Sequence, residues 1–258
     1  MTQAQSPASN SNFYDAYHQH QNRGHANWRG VIKPISVQNF TYFFHLRALK
    51  PFLTQPKNLR VLDVGCGVGT LSLFLAAQGV KQVVGLDLSA RAISQAEVAR
   101  QALNLTNLKF HCQQLSSNLG QFDLILASEI IEHVPQPAEF VKKLAINLKP
   151  GGHLILTTPY AHNWLRHHGY LEKPDQVAGH LAIYDEISLQ KLFPVETWKI
   201  VSLTQTEGPL RMLLFILPLG ILIKFIRGPL VSWFHILDEI LAKVWGHHDL
   251  ILVGRKVV

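Results

Sequence analysis

A chain of 258 residues, 47% apolar and 16% charged, with a mean hydropathy of +0.10, can bury a full core and is not a disordered polymer. Its formal charge of +7 suggests an anionic partner, but residues 1–60 carry +6, residues 61–207 carry −2 and residues 208–258 carry +3. Two cysteines, Cys66 and Cys112, exclude a disulfide framework and lack zinc spacing, which reads as a reducing, cytoplasmic setting.

In chain order, the polar start Met1–Asn12 lacks the basic-then-apolar pattern of a signal segment, and residues 1–30 read as tail and loop. Ser36 is placed to cap a helix running to Leu53, closed by Pro51 and Pro56. A regular alternation follows. Strands are expected at Arg60–Val64, Gln82–Asp87, Leu108–His111, Phe122–Ala127 and His153–Thr158. Helices are expected at Thr70–Gln78, from the Ser89 cap to Leu103, and at Pro137–Leu148, the last ended by Lys149-Pro150-Gly151-Gly152. Such βαβα order implies a mostly parallel sheet with helices on both faces, binding its ligand at the carboxyl ends of the strands. Residues 160–182 read as a polar, histidine-rich stretch, then a short helix at Ser188–Phe193 and strands at Trp198–Thr206 and Leu250–Val257.

The segment Val61–Thr70 (VLDVGCGVGT) puts three glycines between a strand and a helix, where the backbone turns sharply and a ligand can approach closely. A dinucleotide fingerprint would read G-x-G-x-x-G; here the third glycine comes one residue early. Asp63, two residues before Gly65, suits a cationic cofactor better than a pyrophosphate. Asp87 ends the next strand, where a carboxylate can accept hydrogen bonds from both ribose hydroxyls.

These segments, with FDLILASEIIEHV and LKPGGHLILTTP, resemble the successive motifs of class I S-adenosylmethionine-dependent methyltransferases. The Glu-x-x-Glu-His step is most similar to the ubiquinone-biosynthesis O-methyltransferase group. The resemblance covers residues 57–160 strongly and reaches Thr206 loosely. It implies a Rossmann-like α/β fold with a seven-stranded sheet and S-adenosyl-L-methionine as cofactor. Gly65 and Gly67 would pass under its methionine portion, Asp87 would hold the ribose and Leu88 would pack on the adenine. Gln113 and Gln114 stand where relatives carry an acid for the adenine amino group. Ser128 would lie beside the methionine end. Arg47 either pairs with the cofactor carboxylate or is a helix-surface arginine.

Glu129, Glu132 and His133 follow the fourth strand, and on a helical turn they project from one face. Three uses are open: His133 as general base for a hydroxyl, the trio as a divalent-metal site (Mg²⁺ in the simplest case), or a purely structural turn. The Asn/Asp-Pro-Pro-aromatic step of nucleic-acid amino methyltransferases is absent after this strand, so no nucleic-acid partner is expected and oxygen is the favoured acceptor.

In Leu210–Leu237, nineteen of twenty-eight residues are apolar, yet Pro218, Gly220, Lys224, Arg227 and Pro229 interrupt a span. An interfacial helix pair fits better, with Arg211, Lys224 and Arg227 reaching headgroups and Trp233 and Trp245 at the boundary. A buried lid or a dimer interface is the alternative. The division expected is therefore an N-terminal tail and helix (1–56), a methyltransferase core (57–207), an apolar helical insert (208–248) and a final strand (249–258). The function expected is O-methylation of a small or lipid-like hydroxylated molecule, peripheral to a membrane through 209–237. A non-catalytic membrane-associated Rossmann-like module and an NAD-dependent oxidoreductase are the alternatives.

Overall fold

The computed structural model describes residue 35, residues 42–216 and residues 229–257. Ser36 and the start of the helix expected from it, Lys224 and Arg227 lie outside the described residues. The first described helix, α1 (Phe43–Leu49), runs into a 3-10 helix at Lys50–Thr54. From there strands β1 (Arg60–Val64), β2 (Gln82–Asp87), β3 (Leu108–Cys112), β4 (Phe122–Ser128) and β5 (Leu148–Pro159) alternate with helices α2 (Thr70–Ala77), α3 (Ala90–Ala102) and α4 (Pro137–Asn147). Two further strands, β6 (Trp198–Thr206) and β7 (Asp249–Lys256), complete one sheet in the order β3-β2-β1-β4-β5-β7-β6. The first five strands pair in parallel, and β7 runs antiparallel to both β5 and β6.

The central strands β1, β2 and β4 are buried on both faces along most of their length, as parallel strands flanked by helices require. In β1 all of Val61–Val64 is buried. Val61 joins a core with Leu46, Leu49, Leu73 and Ala96, whereas Leu62 and Val64 join the opposite one with Phe140 and Leu144. Successive side chains of one strand thus serve two helical layers. Helix α3 starts where expected, with the Ser89 hydroxyl accepting the Ala92 N–H at 3.0 Å.

Three local expectations change. Lys149–Gly152 does not end the helix and precede the strand but lies inside β5: Leu148 pairs with Phe122 and His153 with Leu124, and the intervening residues bulge out. The stretch 160–182 holds two short helices, α5 (Trp164–His167) and α6 (Glu172–Ala178), joined by an ion pair between Arg166 and Asp175. The next helix, α7 (Glu186–Gln190), starts two residues early because Asp185 and Ser188 form a reciprocal capping box.

The apolar segment contributes α8 (Pro209–Ile216) and α9 (Pro229–Trp245), which pack on each other. Asp249 at the start of β7 pairs with Pro159 and with Thr206, so both helices connect to the sheet edge where the parallel strands end. His235 of α9 packs against Phe43 and Phe44 of α1, with ring centroids 4.4 and 5.0 Å apart. Arg211, expected to reach lipid headgroups, is instead fully buried between Asp238, Glu207 and the Phe44 ring. Trp233 and Trp245 are exposed. Among the described residues no helix is long and apolar enough to cross a membrane.

Candidate active site

The strand order reverses between β1 and β4, and a cavity of about 570 Å³ opens at the carboxyl ends of the strands there. One wall is the glycine turn. Gly65, Gly67 and Gly69 all have positive φ, at 71°, 52° and 78°. The positive φ favours glycine at Gly65, where an added Cβ would land 2.5 Å from Ile130 Cδ1 and that side chain would have to shift. The turn leaves the Gly67 N–H pointing at Asp87, whose Oδ2 accepts it at 2.7 Å while Oδ1 accepts the Ser89 N–H at 2.8 Å. Two backbone donors therefore hold the Asp87 carboxylate in place on the cavity wall, beside Leu88, Gln113 and Gln114.

Three residues expected at the cofactor are not among those that line this cavity. Asp63 is buried beneath the turn and off the cavity wall, accepting the Ser72 hydroxyl at 2.6 Å. Burial pushes its carboxyl up to about 6, against the Ser72 hydrogen bond. Ser128 ends β4 opposite Thr157 and is not part of the wall. Arg47 is exposed on α1 and does not reach the wall.

At the other end lie Glu129, Glu132 and His133, but not on one helical turn. Only Ile131–His133 forms a 3-10 turn, and Glu129 precedes it with φ +51°. A side-chain-bearing residue in this left-handed conformation is uncommon, and such strain concentrates at functional sites. The conformation aims Glu129 at β5, where Oε1 accepts the Thr157 hydroxyl at 2.6 Å; that hydroxyl is 3.5 Å from His45 Nε2. Burial raises the Glu129 carboxyl to about 7, offset in part by Thr157. Glu132 is fully buried. Its Oε2 accepts the Thr158 hydroxyl at 3.1 Å, and burial, then the Glu129 charge, push its pKa well up.

His133 Nδ1 is 3.2 Å from the Gly179 carbonyl, which fixes the proton on that nitrogen, and Nε2 is 3.8 Å from Glu132 Oε1. Burial lowers its pKa, which favours the neutral imidazole, against the Gly179 hydrogen bond. His180, from the histidine-rich stretch 160–182, joins it, the two ring centroids 4.9 Å apart. His180 donates Nδ1–H to Asp175 at 2.9 Å, and Arg166 holds Asp175 in turn. The Leu181 and Ala182 N–H groups donate to the Glu132 carbonyl at 2.7 and 3.2 Å, tying this loop to the 3-10 turn. No local pattern marks His180; only this long-range pairing brings it to the wall.

The residues present suit a nucleoside-bearing cofactor: a rigid carboxylate for a ribose, apolar Leu88 and amide side chains beyond it, and a glycine turn that leaves room. Among the described residues, Glu132, His133 and His180 also offer three metal-ligating atoms within 4.8 Å of one another.

Comparison with solved structures supports the fold. The magnesium protoporphyrin IX methyltransferase of Synechocystis PCC 6803 aligns with a TM-score of 0.60 at 19% identity, covering 99% of each chain. The cyclase SpnF aligns with a TM-score of 0.67 at 20% identity, covering 99% of this chain and 97% of that one. Likeness at this identity carries architecture and not chemistry. Among curated proteins, a ubiquinone biosynthesis O-methyltransferase of Coxiella burnetii is 36% identical over 132 residues, which is 50% of this chain and 54% of that protein. One of Acinetobacter baumannii is 35% identical over 103 residues, 38% of this chain and 43% of that protein. The chain spans about half the length of the curated relatives it matches. Residues 39–202, more than half of the chain, match the model of a family described as a methyltransferase domain, and the chain belongs to that family.

Proposed function

We propose that the protein transfers a methyl group from S-adenosylmethionine to an oxygen of a hydroxylated, lipid-like acceptor. The observation that carries the reading is one cavity with two unlike ends: the Asp87 carboxylate fixed by the Gly67 and Ser89 N–H groups, and the Glu132–His133–His180 group opposite. The cofactor supplies an electrophilic methyl on a sulfonium. The protein's part is alignment and proton removal. Asp87 orients the ribose, Leu88 and the Gln113–Gln114 amides flank the adenine, and the glycine turn clears the path of the methionine portion. His133 would meet the acceptor's hydroxyl and take its proton as the oxygen–methyl bond forms and the sulfur–methyl bond breaks, leaving a neutral thioether. The names of the half-covered relatives favour an oxygen acceptor.

Calorimetry with S-adenosylmethionine and with NAD tests this. Saturable binding of the first alone is expected, and binding of NAD alone would overturn it. Asp87→Ala removes a charged acceptor of ribose hydrogen bonds, each about 1.5–3 kcal/mol. A 10- to 100-fold rise in Kd is expected, with the fold retained by circular dichroism.

The acceptor's apolar character is supported by α9. Its outward face carries Leu230, Trp233, Leu237, Ile240 and Val244, between 47% and 78% exposed, and the chain's last fifth is net basic. Exposed contiguous apolar surface of this kind marks an interaction site. Lying at the sheet edge where the cavity opens, it would rest on an anionic membrane surface and bring the cavity to acceptors dissolved there. Each large apolar side chain withdrawn from water contributes about 1.5–3 kcal/mol. Trp233→Ser with Ile240→Ser should weaken co-flotation with phosphatidylcholine–phosphatidylglycerol vesicles at least tenfold. Equal flotation would remove the membrane from this reading.

A further inference from the structure

We propose that Glu139 and Lys143 of α4 read the edge of the cofactor's adenine, Glu139 accepting a hydrogen bond from the amino group and Lys143 donating one to the ring nitrogen beside it. This rests on the reading that the cavity holds S-adenosylmethionine, and it assigns what makes this chain prefer adenine to another purine. In the family the chain resembles, an acid after β3 has this task. Here no Asp or Glu occurs from Cys112 to Gln121, so the task falls to another element.

The cavity wall carries four carboxylates, Asp87, Glu129, Glu132 and Glu139. Asp87 is fixed for the ribose by the Gly67 and Ser89 N–H groups, Glu129 is turned to the Thr157 hydroxyl, and Glu132 is buried against that of Thr158. Glu139 remains. It is exposed, and its side chain makes no hydrogen bond or ion pair among the described residues. Lys143, half-buried, is the one Lys or Arg on the described wall. The two stand four residues apart, a spacing that suits an ion pair, yet among the described residues they form none with each other.

Their place on the wall is set by α4. Gln136, Glu139, Phe140 and Lys143 all line the cavity and follow the spacing i, i+3, i+4 and i+7, so one face of this helix forms that side. Asn147, fully buried at the end of α4, ties the face to the loop after β3. Its Nδ2 donates to the Ser116 carbonyl at 2.7 Å and to the Lys143 carbonyl at 2.9 Å, and its Oδ1 accepts the Leu119 N–H at 3.1 Å. One nitrogen bonded to both carbonyls holds Lys143 close to the segment that carries Gln113 and Gln114. Phe140 and Leu115 pack into the same core beneath them. The helix face therefore reaches from His133 to the end of the cavity where Asp87, Leu88, Gln113 and Gln114 gather.

The chemistry of the pair is selective. Adenine presents an amino donor next to an acceptor ring nitrogen. Hypoxanthine presents the reverse, a carbonyl oxygen next to a ring N–H. An ionised carboxylate only accepts and an ammonium only donates, so Glu139 and Lys143 match adenine and oppose hypoxanthine at both positions. The Gln113 and Gln114 amides carry both a donor and an acceptor and can turn to serve either base. They hold a purine without choosing between the two. A site built to hydrogen-bond a substrate group rejects the analogue that lacks it, because its own polar groups are then left unpaired.

The test is calorimetry on the full chain with S-adenosylhomocysteine and with S-inosylhomocysteine, which differ only in the base. The native chain should bind the adenine form about 10- to 100-fold more tightly. Glu139→Gln should narrow that ratio by about fivefold or more, because an amide can also donate to the carbonyl of hypoxanthine. Lys143→Met should narrow it as well, and carries the test if Glu139→Gln fails to fold, as judged by thermal melting. Asp87→Ala should weaken both ligands alike, since they share the ribose. The assignment is overturned if the native chain binds the two ligands equally, or if Glu139→Gln keeps the native ratio, including by weakening both to the same extent. Binding of neither ligand by the native chain would overturn the S-adenosylmethionine reading and this assignment with it. Tight binding of the adenine form with the ratio unchanged in Glu139→Gln overturns only the assignment.

Discussion

His133→Ala is expected to lower kcat for methyl transfer by a factor of about 10²–10⁴ while leaving the Kd for S-adenosylmethionine within a few-fold of the native value. The two effects separate because the two ends of the cavity are built from different elements. Cofactor contacts are assigned to the glycine turn and Asp87, at the ends of β1 and β2, whose geometry depends on the Gly67 and Ser89 N–H groups. His133 sits after β4 and is held by the Gly179 carbonyl from another part of the chain. Removing its ring takes away the group that meets the acceptor and leaves the ribose carboxylate untouched. Steady-state kinetics at saturating cofactor, with calorimetry on the same variant, makes the comparison. Unchanged kcat would exclude His133 as the catalytic residue, and an equal loss of cofactor affinity would mean that the variant disturbed the cavity as a whole. His133→Gln keeps a polar group of similar reach and should remain nearly as impaired, because an amide does not accept the proton.

The difference between the two ends also explains what the amino-acid sequence made legible. Parallel strands covered on both faces must be continuous apolar runs, so VLDV and QVVGLD stand out. The turn between them needs glycine for steric reasons visible in any such sequence. Asp87 follows from the same geometry, being the last residue of its strand. The far end lacks such local rules. Spacing of i, i+3 and i+4 groups Glu129, Glu132 and His133 only if the backbone is helical throughout. Glu129 instead takes φ +51° and turns to Thr157. His180 has no signal in its own neighbourhood, because its place depends on a hydrogen-bonded crossing between the Glu132 carbonyl and residues 181 and 182. Arg211 misled for a related reason. A basic residue in an apolar run looks like a headgroup anchor until Asp238, 27 positions later, is known to lie beside it.

That buried arginine is where the largest loss of stability is expected. Arg211 has no exposed surface, its Nε 3.8 Å from Asp238 Oδ2, one terminal nitrogen 3.8 Å from Glu207 Oε1, and its guanidinium carbon 4.9 Å from the Phe44 ring centroid. Asp238 is equally buried, and its carboxylate accepts the Gly208 and Arg211 N–H groups at 2.8 and 3.1 Å, closing the start of α8. Arg211→Ala would take from that carboxylate, and from Glu207, the cation that faces them among the described residues. Breaking a buried pair from one side costs about 3–5 kcal/mol, most of it the uncompensated charge. Urea denaturation should show a loss of that size. Arg211→Met combined with Asp238→Leu should recover the part due to Asp238, since the desolvation of both charges disappears, while the uncompensated Glu207 and the lost cap on α8, about 1 kcal/mol, remain. A local readout separates this account from simple loss of packing. Burial first, and the Arg211 charge second, hold His45 down at about 4. Removing the charge must therefore raise the His45 pKa, and Arg211→Lys, which keeps it, must not. An NMR titration in which His45 is unmoved by Arg211→Ala would show that this arginine stabilises the joint between α1, α8 and α9 by shape alone.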